Sequence, residues 1–291
     1  MTLDSSSTVL VVGATGRQGG SVVRALQQLP SPPMIRALSR NLDSPSAIKL
    51  KQQGVEVIKG SLADQASLEA ALRNVDSAFL VYAQPGKGST DLPEDEQGRL
   101  FLAAARAVSL PFLVYSSASD VTQTCGVSYW EAKARFEEIL AASGQKHAVL
   151  APVAFMDNFP KTASFASFAA MGLFDAALHG KALQMIAVDD IGYFAAQALT
   201  NPATFAGRKV QLAGDSLSME DVRRAYQRVE GRSVWKAWFP SFVVDLLPKD
   251  MRTMLKICAT TGTTADVEVC RREHAGLKTF EQWLRDGRKS E

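Results

Sequence analysis

The stretch Val9-Leu-Val-Val-Gly13-Ala-Thr-Gly16-Arg-Gln-Gly19-Gly20 organises the chain. Aliphatic residues end at Gly13 and a helical pattern follows from about Arg17, which is the strand, tight turn and helix that a dinucleotide-binding fingerprint requires. Gly13 allows a sharp turn, Gly16 lets the backbone approach a pyrophosphate, and Gly19 lets the helix pack closely on the sheet. The sequence therefore predicts a dinucleotide site; the alternative is a glycine-rich turn without a ligand.

The helix after this turn supplies the predicted phosphate contacts. Free N–H groups at a helix start carry the positive end of the helix dipole, and this end holds anions. The candidate cofactor residues of the loop are Gly13, Thr15, Gly16, Arg17, Gln18 and Gly19.

Strand and helix patterns alternate through the first half of the chain. Predicted strands cover 34–39, 55–58, 77–82 and 111–116. Predicted helices cover 17–29, 45–53, 65–73 and 93–108. This alternation predicts an α/β fold with a doubly wound parallel sheet, the Rossmann arrangement.

The remaining sequence predicts a smaller, mainly helical region for the substrate. We place the Rossmann domain at 8–153, with 183–212 returning to it, and the smaller region at 154–182 and 213–291. Small and apolar residues between glycines at 160–182 could line or cap a substrate pocket. The aromatic C-terminal third suits a hydrophobic substrate, and it suits an ordinary core or a partner surface equally well.

Composition excludes several classes of function. The 291 residues are 46% hydrophobic and 21% charged, with a net charge of +2 and no long basic run, so we expect no direct nucleic-acid binding. No apolar stretch reaches membrane-spanning length, and the first residues do not resemble a signal peptide. The three histidines lack metal-ligand spacing, so we expect organic rather than metal chemistry.

The cysteines indicate a reducing compartment. Cys125, Cys258 and Cys270 are odd in number and widely spaced, and they form no CxxC pair. We therefore expect reduced thiols in a cytoplasmic protein, without a structural disulfide.

Arg40 indicates the type of cofactor. It stands at the carboxyl end of the second predicted strand, where an acid would bind the ribose 2′-hydroxyl of NAD and an arginine accommodates the 2′-phosphate of NADP. The planar guanidinium is suited to phosphate, and Arg17 could add a second positive charge. We therefore predict NADP; the alternative is a solvated loop arginine.

A further set of residues is predicted around the nicotinamide. Tyr82 ends the fourth predicted strand, and Ala83 and Gln84 follow it, where the nicotinamide ribose should lie. Tyr129 and Lys133 are spaced i and i+4 on a predicted helix, so a lysine can favour the phenolate and lower the tyrosine pKa. The hydroxyl of Ser117, after the fifth strand, could hold a substrate carbonyl oxygen. The alternative is a tyrosine that simply packs at a helix start.

The glycine spacing Gly-x-x-Gly-x-x-Gly resembles the short-chain dehydrogenase/reductase superfamily, and Gly-Ala-Thr-Gly-Arg-Gln-Gly-Gly resembles its NmrA-like branch. This resemblance implies that Ser61 and Leu62 lie under the adenine, and that Ser117, Tyr129 and Lys133 form a Ser–Tyr–Lys set. Many NmrA-like proteins, the regulators among them, lack the tyrosine and retain a lysine. The lysine therefore implies cofactor binding more firmly than catalysis.

A second family-like segment follows the sixth strand, at 148–159. The resemblance implies that Phe155 and Asn158 lie near the nicotinamide, while Asp157 stands where the family usually has glutamate. Ala151 replaces the common arginine before the proline. A third family-like segment, 183–196, carries Asp189 and Asp190, which we interpret as structural residues at an acidic helix N-cap.

Three hypotheses follow. The first is an NADPH-dependent reductase that moves hydride to a ketone, imine or activated alkene of an apolar molecule, with Tyr129 donating the proton. The second is a non-enzymatic redox sensor that binds NADP(H) or NAD(P) and acts on a protein partner. The third is a reductase in which Lys133 alone moves the proton, as the resemblance to the isoflavone-reductase branch implies. A homodimer is compatible with each.

Overall fold

The computed structural model describes Leu3, residues 5–82 and residues 92–288. The strands are β1 (Thr8–Val11), β2 (Met34–Ser39), β3 (Glu56–Lys59), β4 (Ser77–Leu80), β5 (Phe112–Ser116), β6 (His147–Pro152), β7 (Ala154–Phe155), β8 (Leu183–Ile186), β9 (Lys209–Leu212) and β10 (Asp215–Leu217). The α-helices are α1 (Arg17–Gln27), α2 (Pro45–Gln52), α3 (Gln65–Leu72), α4 (Glu94–Ala107), α5 (Ser128–Ala142), α6 (Phe165–Leu178), α7 (Val188–Thr200), α8 (Pro202–Phe205), α9 (Met219–Glu230), α10 (Lys249–Thr260), α11 (Val267–Glu273) and α12 (Phe280–Arg288). Short 3₁₀ helices lie at Met156–Asn158 and Ser241–Leu246.

The main sheet has seven parallel strands in the order β3-β2-β1-β4-β5-β6-β9. The chain runs outward from β1 to β3, then returns to the other side of β1 as β4. In this register Val11 lies opposite Ala37 on one side and Phe79 on the other. The strand order reverses between β1 and β4, which is the place where doubly wound sheets bind ligands. The predicted Rossmann arrangement is therefore confirmed.

The sequence of β1 is a continuous apolar run because the strand is buried on both faces. Val9, Leu10 and Val11 are completely buried, as expected for a central parallel strand that is covered on both faces. Leu10 belongs to a core cluster that also contains Phe101 of α4 and Phe136 of α5. Helices and central strands therefore share one apolar interior.

The chain divides into two compact units. The first comprises Met1–Gln123, Tyr129–Ala151 and Ile191–Val210. The second comprises Thr124–Ser128, Pro152–Asp190 and Gln211–Glu291. The second unit holds a three-stranded sheet, β10-β8-β7, and most of the C-terminal helices.

The return to the first unit differs from the predicted 183–212. Residues 183–190 lie in the second unit because β8 pairs with β7 in parallel and with β10 in antiparallel orientation. The segment 160–182, read from sequence as a possible pocket wall or cap, contains the helix α6. Ser164 and Ser167 form a reciprocal capping box at its start.

Asp189 and Asp190 lie inside the first turn of α7 rather than before it, because that helix begins at Val188. The carboxylate of Asp190 accepts a hydrogen bond from the Lys278 N–H at 3.0 Å and lies 3.3 Å from His274. Asp189 pairs with the Lys278 ammonium at 3.3 Å. Both acids therefore anchor the chain before α12. Among the described helices, none has the length and apolar character needed to cross a membrane.

Candidate functional site

The turn after β1 accepts only glycine at two of its positions. Gly13 has a φ of +72°, and a Cβ there would lie 2.8 Å from Val81 Cγ1. A Cβ on Gly19 would lie 2.3 Å from the carbonyl oxygen of Gly13. The Gly16 N–H donates to that same carbonyl at 2.8 Å, which closes the turn. Close packing of α1 on this turn therefore depends on the missing side chains.

The start of α1 is suited to an anion. Gly16 is the N-cap residue and provides no side-chain acceptor, and the first turn contains no acidic residue. The first N–H groups of a helix lack intrahelical acceptors and carry positive partial charge. Thr15 and Arg17 beside them are exposed. This geometry fits a phosphate group.

Gln18 connects the glycine turn to the end of β5. Its Oε1 accepts a hydrogen bond from the Ser116 hydroxyl at 2.6 Å, and Ser116 is completely buried. The side chain of Gln18 is thereby fixed, with its amide nitrogen still able to donate. The sequence analysis did not identify Ser116 as a partner, because the two residues are far apart in the chain.

Arg40 directly follows β2 and is exposed. Its guanidinium makes no hydrogen bond or ion pair with the residues that the structure describes. The neighbouring turn is ordered by Ser39, whose hydroxyl donates to the Asn41 carbonyl at 2.9 Å. A cation without an internal partner at this edge of the sheet is available to an anionic ligand.

The loop after β3 is also ordered by short-range hydrogen bonds. The Ser61 N–H donates to the Ser67 hydroxyl at 3.1 Å, and Ser61 Oγ accepts from the Ala63 N–H at 3.2 Å. Leu62 is half-buried against the core cluster of the first unit. The predicted adenine contacts of Ser61 and Leu62 stay predictions.

Lys133 lies in a charged and aromatic cluster within the first unit. Its ammonium is 3.3 Å from the Glu94 carboxylate, and each of these side chains is only 12% exposed. The same ammonium lies 5.6 Å from the ring centre of Tyr82 and 5.8 Å from that of Tyr115. Ion pairing and cation–π attraction together hold the charge of Lys133 in one place.

The two tyrosines pack with Phe136 in edge-to-face contacts. The ring centres of Tyr115 and Phe136 are 4.8 Å apart, and those of Tyr82 and Phe136 are 5.6 Å apart. Burial, reinforced by neighbouring acids, raises the pKa of both phenols well above the ordinary value, so both are neutral near neutral pH. The Tyr82 hydroxyl is buried and lacks a hydrogen-bond partner among the described residues.

Ser117 is buried and its hydroxyl donates to Glu137 of α5. The other carboxylate oxygen of Glu137 lies 2.6 Å from the Lys209 ammonium. The Ser117 hydroxyl, which the sequence analysis proposes as a contact for a substrate oxygen, therefore already donates a hydrogen bond within the protein. Its predicted role in catalysis stays a prediction.

Tyr129 is half-buried in the first turn of α5, and its ring meets that of Trp130 at a centre distance of 6.1 Å. The helix confirms that Tyr129 and Lys133 are spaced i and i+4 on one face. Ala83 and Gln84 lie outside the described residues.

Phe155 forms the end of β7 and is half-buried, while Asn158 ends the following 3₁₀ helix and is exposed. Their predicted contacts with nicotinamide stay predictions. Within the described part of the chain, no three His, Cys, Asp or Glu side chains converge as a metal site.

Sequence reasoning missed Glu94 and Glu137. Both acids lie on helices that were predicted or implied, but their partners are distant in sequence: Lys133 for Glu94, and Ser117 and Lys209 for Glu137. The one available signal was the run Glu94-Asp-Glu at the start of α4, which also suits a helix dipole without any partner.

This fold and glycine turn define a dinucleotide-binding class of α/β protein. The NmrA-like family model matches residues 5–284, so the chain belongs to the NmrA-like family. The chain is 31% identical over 228 residues to (4-alkanoyl-5-oxo-2,5-dihydrofuran-3-yl)methyl phosphate reductase of Streptomyces griseus, covering 77% of this chain and 74% of that protein. The matched region spans 47% of another relative, a Cladobotryum NmrA-like oxidoreductase.

Two solved structures show the same fold. Escherichia coli NADPH-dependent quinone oxidoreductase, complexed with NADPH, aligns with a TM-score of 0.74 and 21% identity over 96% of this chain and 99% of that one. The negative transcriptional regulator NmrA, in complex with NADP, aligns with a TM-score of 0.74 and 19% identity over 97% of this chain and 95% of that one. Proteins described as an oxidoreductase and as a regulator therefore share this architecture.

Proposed function

We propose that this protein is an NADPH-dependent oxidoreductase that reduces a carbonyl, an imine or an activated alkene of an apolar small molecule. The observation that carries the proposal is the helix start at Gly16, which has no side-chain cap and no acid in its first turn, together with the guanidinium of Arg40, which has no partner among the described residues. The family supports it, because the reductase from Streptomyces griseus and the quinone oxidoreductase from Escherichia coli are both named for reductions. The three free cysteines support a cytoplasmic location.

In this proposal, the glycine turn and two arginines select the cofactor. The N–H groups after Gly16 bind the pyrophosphate, and Arg17 and Arg40 bind the 2′-phosphate. Ser61 and Leu62 contact the adenine, while Phe155 and Asn158 contact the nicotinamide. NADPH supplies the hydride when it is bound.

The proton comes from the chain. The Tyr129 hydroxyl donates it to the substrate oxygen, nitrogen or carbon on which charge develops, and Lys133 stabilises the phenolate that remains. Lys133 also contacts the nicotinamide ribose, and Ser117 orients the substrate. If Tyr129 is dispensable, Lys133 itself is the proton donor.

One observation favours the regulatory alternative. The hydroxyl of Ser117 is committed to Glu137, and the ammonium of Lys133 is paired with Glu94, so two of the three proposed catalytic groups have internal partners. Such pairs would suit a protein that binds NADP(H) and presents a surface to a protein partner. NmrA, a regulator that binds NADP, has the same fold.

Steady-state turnover separates the two functions. We expect the purified protein to oxidise NADPH in the presence of quinones, conjugated alkenes or bulky aromatic ketones, and to use NADH poorly. A protein that binds NADPH tightly but oxidises it at the background rate across this panel would be a sensor. The panel includes bulky substrates because small aldehydes alone would leave an apolar site empty.

A further inference from the structure

One hydrogen bond joins the start of α1 to the end of β5. The Ser116 hydroxyl donates to Gln18 Oε1 at 2.6 Å, although the two residues are 98 positions apart in the chain. Ser116 is completely buried, so its hydroxyl needs an acceptor within the protein. Gln18 is half-buried and is the second residue of α1, at the helix start to which we assign the pyrophosphate. A buried serine therefore holds a side chain of the proposed cofactor site.

This hydrogen bond determines which end of the Gln18 amide is available to a ligand. An amide accepts through its oxygen and donates through its NH₂ group. Because Oε1 accepts from Ser116, Nε2 remains as the donor, and among the described residues it has no acceptor. A phosphate or ribose oxygen is a suitable acceptor for it. Without the serine hydroxyl, the amide could rotate by half a turn and present its oxygen, which repels an anion.

The strand order places this amide on one side of the dinucleotide site. β4 lies between β1 and β5, so β5 is about 10 Å from β1 at the usual strand spacing. Arg40 follows β2, which is on the other side of β1. In the proposed site Arg40 binds the 2′-phosphate of the adenosine half. The Gln18 side chain extends toward β5 and therefore belongs to the opposite, nicotinamide half.

We propose that Ser116 is a positioning residue that orients the Gln18 amide, so that its NH₂ group binds the nicotinamide half of the dinucleotide. This inference rests on the proposed NADP site and deepens it. It applies equally to a reductase and to a sensor, because both bind the cofactor. Ser116 acts through Gln18 and does not itself contact the ligand.

The first test compares three ligands by isothermal titration calorimetry: NADPH, NADH and adenosine 2′,5′-bisphosphate, which lacks the nicotinamide half. Ser116→Ala removes the hydroxyl that orients the amide. We expect NADPH and NADH to bind more weakly by the same factor, about threefold to tenfold, which corresponds to one ordinary hydrogen bond. The affinity for adenosine 2′,5′-bisphosphate should not change. General damage to the glycine turn would instead weaken all three ligands.

Two further variants are controls for this pattern. Ser77 begins β4 opposite Val9, is completely buried, and its hydroxyl has no hydrogen-bond partner among the described residues. Ser77→Ala therefore removes a buried hydroxyl from a neighbouring strand and should leave all three affinities unchanged. Arg40→Ala should give the reverse pattern, with NADPH and adenosine 2′,5′-bisphosphate weakened and NADH unaffected.

The second test is a double-mutant cycle, which measures whether Ser116 acts through Gln18. Gln18→Ala removes the amide and should weaken NADPH and NADH roughly tenfold or more. Addition of Ser116→Ala to Gln18→Ala should have no further effect, because the side chain that the serine orients is already absent. Two residues that contribute independently would instead multiply their effects.

Loss of affinity for NADPH and NADH alone, together with coupling in the cycle, would support the proposal. Unchanged affinities in Ser116→Ala, equal loss for all three ligands, or independent effects in the cycle would overturn it. If Ser116→Ala lacks the wild-type circular dichroism spectrum, Gln18→Ala decides, because it leaves the buried serine in place and must show the same selectivity among the ligands. A wild type that binds none of the three ligands would overturn both this inference and the proposed function. A wild type that shows the expected binding pattern without turnover would overturn the reductase alone.

Discussion

Arg40 is the residue that sets cofactor preference in this account. Loss of a charge-assisted contact to the 2′-phosphate should cost about 1.5–3 kcal/mol, roughly tenfold to over a hundredfold in affinity. Arg40→Ala should therefore weaken NADPH binding and leave NADH binding nearly unchanged, as measured by fluorescence titration. Arg36→Ala is a control for general damage to β2, because the Arg36 guanidinium pairs with Glu56 at 2.7 Å. Equal weakening of both cofactors, or a wild-type preference for NADH, would contradict the assignment.

Substitutions of Tyr129 and Lys133 should have different effects on NADPH affinity and on turnover. Tyr129→Phe removes the hydroxyl that the proposed mechanism assigns as proton donor, so NADPH affinity should change little while turnover falls on the order of 10²–10⁴-fold. Lys133→Met should reduce both affinity and turnover, because in the proposed mechanism the lysine contacts the ribose and stabilises the Tyr129 phenolate. Titration and initial rates are measured on the same preparations. Wild-type turnover by Tyr129→Phe would transfer the role of proton donor to Lys133.

At the scale of elements, α4 depends on a glycine that helix propensity disfavours. Replacing Gly98 by alanine should gain about 1 kcal/mol of propensity, but the new Cβ would overlap Phe136 and Tyr82. Overpacking typically costs about 1–3 kcal/mol, so Gly98→Ala should lower the free energy of unfolding or leave it unimproved. Urea unfolding measures it, with the exposed Arg99→Ala on the same helix as a control. A stabilisation approaching the full propensity gain would show that α4 does not pack as described.

Elements were predictable because their signals are local. The glycine turn and the alternation of strands with helices follow from neighbouring residues, and the observed bounds differ from those predicted by a few residues. The sequence predicts a return to the first unit at 183–212, but its beginning at Ile191 was not predictable, because β8 pairs with strands far away in sequence. The pairs Glu94–Lys133 and Ser117–Glu137 were not predicted from the sequence for the same reason, since only the packing of α4, α5 and β5 brings them together.

At the scale of the whole molecule, stability should not depend on disulfides. Cys125 and Cys258 are half-buried free thiols, and Cys270 is buried. Burial raises the pKa of the Cys258 and Cys270 thiols, which keeps them protonated and unreactive. We therefore expect the same melting temperature with and without a phosphine reductant in differential scanning fluorimetry. A decrease of several degrees on reduction would reveal a disulfide and contradict the three free thiols.

In the proposed function, the protein transfers hydride from NADPH to an apolar small molecule. The most direct measurement supplies NADPH deuterated at C4 of the nicotinamide, in separate experiments for each face, and follows the product by mass spectrometry. We expect one of the two labelled cofactors to transfer one deuterium to the reduced product, and Tyr129→Phe to slow the transfer. Tight NADPH binding with no deuterium in any product across quinones, conjugated alkenes and aromatic ketones would contradict the claim and establish the protein as a cofactor sensor.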